Sequence, residues 1–258
     1  MSESQHRLPP EIVDYIIDLL HDDPEALKKC CFVSKSWVER SRIHLFNKFD
    51  LGSLKTWRAT FPLRSFKSFA HRVRSLRVDF TGVSTEDAED NDWIQSFTHV
   101  VRLNLFSGYP VPKALFFPFH VLSSLKALTV RFFSFPTSEV LKLIYSCPLL
   151  EDLDISIDVW TGVSNDDGAI FQPSTSPPLT GTLNLSGHQP RKIVHSLLDF
   201  PGGPHFRKIS WGDGSVEVEP ELVTALVERC SGSLEFLDMN FVPVRKSRPS
   251  SSRGGSGI

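Results

Sequence analysis

Nucleophilic, acid–base or metal chemistry in this chain would have to come from nine histidines, four cysteines and thirty carboxylates. Their spacing supplies none of it. The histidines are scattered from His6 to His205, and no pair stands at the helical spacing that lets two imidazoles hold one ion. Cys30 and Cys31 are adjacent, Cys147 and Cys230 lie far apart, and no CxxC occurs. The expectation is four buried, reduced thiols in a reducing compartment. Asp90-x-Asp92 and Asp166-Asp167 are spaced to share a cation, but they stand in polar stretches where carboxylates are ordinarily solvated. G-x-S-x-G, a phosphate-binding glycine loop, H-E-x-x-H and a dinucleotide fingerprint are all missing. The sequence therefore predicts no catalysis, no metal and no cofactor.

What remains is binding. Basic residues gather once, at Arg64, Lys67, His71, Arg72, Arg74 and Arg77, with Arg102, Lys126 and Arg131 further on. The net charge of −2 argues against a nucleic-acid partner, because no overall basic field would draw one in. No run approaches the roughly eighteen apolar residues of a membrane helix. The opening MSESQHRL lacks an apolar signal core. The expected setting is intracellular, in the cytoplasm or nucleus, with no membrane partner.

The elements that would position such residues repeat along the chain. An apolar residue, two variable positions, then apolar-x-apolar occurs as Val73-x-x-Leu76-x-Val78, Val100-x-x-Leu103-x-Leu105 and Leu125-x-x-Leu128-x-Val130. It returns as Leu150-x-x-Leu153-x-Ile155, Phe206-x-x-Ile209-x-Trp211 and Leu234-x-x-Leu237-x-Met239. Thr180-x-x-Leu183-x-Leu185 is a weaker copy, and Phe46-x-x-Phe49-x-Leu51 fits at the front. Successive central positions from Phe49 to Leu237 are 27, 27, 25, 25, 30, 26 and 28 residues apart. Such a period with an L-x-x-L-x-L core belongs to leucine-rich repeats, in which units that cannot bury their own apolar faces stack and share one core. The x positions would then form one concave face: Arg77, Asn104, Thr129, Asp154, Asn184, Ser210 and Asp238, positive at the start and acidic at Asp154 and Asp238. These are the candidate contacts for an unidentified target protein.

Between strands, Thr137 to Tyr145, Ile193 to Leu198 and Pro220 to Cys230 read as amphipathic helices. Phe116 to Leu122 reads as a packed turn. Ser84 to Asp92 is acidic and Val163 to Pro178 is rich in Asp, Ser and Pro; both read as surface loops. Residues 1–7 are polar and read as a disordered start, and the basic, low-complexity segment from Arg245 to Ile258 reads as disordered, so 243–258 is assigned as a disordered tail.

Ahead of the repeats, residues 8–48 carry more apolar side chains than a helical hairpin can hide. Leu8, Ile12, Ile16 and Leu19 recur on one helical face, and Val13, Ile17 and Leu20 on its neighbour. Asp22, Asp23 and Pro24 end that helix, with Asp23 placed to cap a second that opens on Pro24. A third runs around Trp37, Val38, Ile43, Leu45 and Phe46, with Ser34 or Ser36 as its cap. A helix apolar on two faces normally sits between two partners.

The ordered set Leu8-Pro9-x-Glu11-Ile12, Ile16, Leu19-Leu20, Val33-Ser34-Lys35-x-Trp37 and Leu45-Phe46 resembles an F-box over roughly forty residues. Ser34 stands where many members carry cysteine. The segments CPLLEDL at Cys147 and CSGSLEFL at Cys230 resemble the cysteine-bearing repeats often found behind an F-box, but the asparagine that usually follows the strand is missing. The resemblance implies an α/β chain: a three-helix F-box at 8–48, then an irregular leucine-rich-repeat-like solenoid with a parallel sheet at 49–242. It further implies a substrate-recognition subunit of a cullin-type ubiquitin ligase, docked on a Skp-type adaptor. Adaptor contacts would fall on Leu8, Pro9, Ile12, Ile16, Leu20, Val33 and Trp37, some of which must also serve the bundle's own core. The alternative is a repeat scaffold whose helices are only a cap, with no ligase link.

Overall fold

A computed structural model of the protein describes residues 8–53, 68–82, 92–108, 122–132, 137–157, 177–187, 191–212 and 220–240. The expectations for 1–7, 84–91, 116–121, 163–176 and 245–258, and for Arg64 and Lys67, lie outside these residues.

The chain is mixed α/β: three N-terminal helices, then an eight-stranded parallel sheet. Helix α1 spans Pro10–Leu19, α2 Pro24–Val33 and α3 Lys35–Asn47. Pro10 occupies the first turn of α1, where its missing N–H costs nothing, and the Pro9 carbonyl accepts from the amides of Ile12 and Val13. Asp23 caps α2 as its position suggests, Oδ1 accepting from the amides of Glu25 at 3.1 Å and Ala26 at 2.9 Å. The cap of α3 is different. Ser34 sits at the N-cap, but no side chain caps the helix, and the Ser34 hydroxyl bonds that of Ser36 at 2.7 Å instead. Two adjacent hydroxyls satisfy each other here before either reaches the backbone.

The strands are β1 Lys48–Ser53, β2 Ser75–Asp79, β3 Arg102–Ser107, β4 Ala127–Phe132, β5 Asp152–Ile157, β6 Leu179–Gly187, β7 Pro204–Gly212 and β8 Phe236–Asn240. They lie in chain order, each paired in parallel with the next. Parallel neighbours need a crossover, and among the described residues three crossovers carry α-helices, α4 Thr137–Tyr145, α5 Arg191–Leu198 and α6 Pro220–Cys230, while two carry short 3-10 helices at Ala70–Arg72 and Asp92–Ser96. Helix α5 begins two residues earlier than its apolar pattern suggests, directly after Pro190.

The core follows from alternation. Leu76, Leu103, Leu128, Leu153, Leu183 and Ile209 stand in register across β2 to β7, and all are buried. So are Val78, Leu105, Val130, Ile155, Leu185 and Trp211 two positions on. Val140, Leu141 and Ile144 of α4, Ile193, Val194 and Leu197 of α5, and Leu222 and Leu226 of α6 close the other side. The last strand departs from the sequence expectation: Leu237 is 42% exposed rather than buried. Among the described residues β8 pairs with β7 alone, at the edge of the sheet.

Register is set by the main chain where strands begin. The Arg74 carbonyl accepts from Val101 and Arg102, the Val101 carbonyl from Lys126 and Ala127, and the Lys126 carbonyl from Glu151 and Asp152, all between 2.7 and 3.0 Å. The Glu151 carbonyl then accepts from Thr182, one residue after Gly181. Gly181 has φ +82°, and a Cβ there would lie 2.0 Å from the Glu151 oxygen, so glycine is required.

A second, smaller core holds the helices together. Val13, Ile17 and Leu27 are buried, with Leu20, Trp37 and Leu45 packed on them. Asp18 of α1 reinforces it, accepting from Arg40 Nε at 2.6 Å and facing His44 Nε2 at 2.7 Å. The helices meet the sheet through Phe46, stacked on Phe69 at 4.6 Å, the Arg72–Glu39 ion pair, and the Asn47 carbonyl, which accepts from Arg74.

Candidate functional site

The two apolar faces of α1 have opposite fates. Val13 and Ile17, with Leu20 beside them, turn inward; Leu8 at 55%, Ile12 at 47% and Leu19 at 64% stay exposed. Tyr15 joins the outward face, where Ile12, Tyr15 and Leu19, spaced three and four apart, share one line of the helix, and Leu8 precedes its first turn. At the last turn of α2, Phe32 is 90% exposed and Val33 accompanies it. Tyr15 and Phe32 were missed by the motif reading, although the helical spacing from Ile12 to Leu19 was signal enough for Tyr15.

The candidate adaptor residues thus separate into two sets. Leu8, Pro9, Ile12 and Val33 are exposed, and Ile16 is half-buried. Leu20 and Trp37 pack on the bundle core. Of the ten large hydrophobic side chains exposed among the described residues, seven (Leu8, Ile12, Tyr15, Leu19, Phe32, Val33 and Ile43) belong to the N-terminal segment 8–47. Apolar exposure concentrated in so short a stretch marks an interaction surface more often than chance.

The sheet offers a second surface of opposite character. Arg77, Asn104, Thr129, Asp154, Asn184, Ser210 and Asp238 are register partners in succession, so one continuous row crosses seven strands, and Asp50 of β1 extends it to eight. None of the seven is buried. The simple gradient from positive to acidic does not hold. Arg77 Nε lies 3.7 Å from Asp50, and Arg131 Nη2 donates to Asp154 at 3.0 Å. Both guanidinium groups also approach the Phe106 ring, at 4.5 and 6.0 Å from its centre. Elsewhere the basic cluster disperses: Arg72 pairs with Glu39, Arg74 Nη1 donates to the His99 carbonyl at 3.4 Å, and Lys126 pairs with Glu151 at 2.9 Å.

The four thiols differ in their surroundings. All four cysteines are free; Cys30, Cys147 and Cys230 are buried, while Cys31 is only half-buried, short of the expected burial. Burial pushes the Cys147 thiol up to about 12 and raises that of Cys230, whose Sγ faces the Pro204 carbonyl at 3.4 Å. No cluster of three metal-ligating side chains occurs among the described residues, and no helix among them is long and apolar enough to cross a membrane. Asp90, Asp166 and Asp167 lie outside them.

A scan against models of known protein families finds no match to this chain, and no curated protein matches it either. Among the described residues two surfaces stand out: an apolar helical one, and a polar one carried by a parallel sheet.

Proposed function

We propose that this chain is the substrate-recognition subunit of a cullin-type ubiquitin ligase. In this reading residues 8–48 are an F-box that docks on a Skp-type adaptor, and through it on a cullin. The sheet region at 49–242 is an irregular leucine-rich-repeat-like solenoid that holds a target protein. The observation that carries the reading is the outward apolar line Ile12, Tyr15 and Leu19, with Leu8 ahead of it and Phe32 and Val33 beside it, on helices that already possess a core of their own. A cap serving only the sheet would turn such side chains toward the strands. Strand order that follows chain order, with 25 to 30 residues per step, supports the solenoid. The chain would catalyse nothing; it would raise the effective concentration of a target lysine near the charged ubiquitin carrier, in the cytoplasm or nucleus.

One observation favours the rival reading of a repeat scaffold with a helical cap. The Phe46–Phe69 stack and the Arg72–Glu39 pair join α3 directly to the start of the sheet. Co-purification with a recombinant Skp-type adaptor separates the two readings. Ile12→Asp and Phe32→Asp are the informative variants, because both side chains face solvent. Trp37→Ala would also loosen the bundle core. Binding by the wild type that both aspartates abolish supports docking. No binding by a folded wild-type chain overturns the ligase reading and leaves the scaffold.

A further inference from the structure

We draw no further inference here: the strongest candidate, the uncharged patch on the outward face of β6 and β7 where Thr182, Asn184, Ser186 and Ser210 are half-buried, belongs to the polar sheet surface already described, and nothing in the structure shows what covers it.

Discussion

The helices and the sheet solve the same problem in opposite ways. The sheet hides its large apolar side chains between strands and return helices, and across β2 to β7 every Leu76-type and Val78-type position is buried. The helical segment buries only Val13, Ile17, Leu27 and Cys30 among its apolar residues and leaves seven large ones in solvent. A unit this small cannot cover all its apolar surface by itself. The difference teaches that the sheet buries its apolar positions within the described chain, whereas the helices leave much of theirs exposed.

Four experiments would break or sharpen this contrast. The largest effect is expected in the sheet: Leu128→Ala, at a fully buried central position, should cost about 3 kcal/mol in a denaturant titration. Next, Ile17→Ala removes part of a much smaller core and should cost about 2 kcal/mol or more. Hydrogen exchange should then show α1 to α3 opening while the strands stay protected. Loss of protection everywhere would mean that the two cores unfold as one.

The third effect is set by pH. The Arg40 guanidinium, and His44 after it, hold the Asp18 carboxyl down at about 2, against an ordinary 3.8. A depressed carboxylate stabilises the fold above its unfolded pKa, so the contribution is present above about pH 4 and is lost as pH falls toward 2. With Asp18 partly open to solvent it is worth on the order of 1 kcal/mol. Asp18→Asn should flatten the acid limb of a stability–pH curve by that amount. The smallest stability effect belongs to Phe32→Asp, within about 0.5 kcal/mol of wild type because the ring is exposed. That same variant should give the greatest loss of adaptor capture, which is the sharpest form of the contrast.

Much of the sheet was legible because period-two alternation and a steady interval are strong local signals. The seven x positions from Arg77 to Asp238 do stand in one row, and α4 and α6 begin and end where their patterns place them. Leu237 could not be read correctly, since its local pattern matches the others and its place in the edge strand is a tertiary fact. On and beside α1, Leu8, Ile12, Ile16 and Leu19 are as apolar as Val13, Ile17 and Leu20. Which face sinks is decided by where Trp37 and Leu45 of α3 arrive, a tertiary fact. The partners of Arg77 and Arg131 were hidden for a related reason. Asp50 and Asp154 are 27 and 23 residues away along the chain, and neighbours only across strands.

The doubly accepting carbonyls of Arg74, Val101 and Lys126 have a consequence for how such a chain can change. They fix each strand against the one before it through atoms every residue possesses, at a point upstream of the outward-facing side chains. The connecting segments already differ in length, with intervals from 25 to 30 residues, yet the row from Arg77 to Asp238 stays aligned. Insertions between strands and substitutions on the exposed row are therefore independent degrees of freedom. A lineage could recode what this surface recognises without renegotiating the scaffold beneath it.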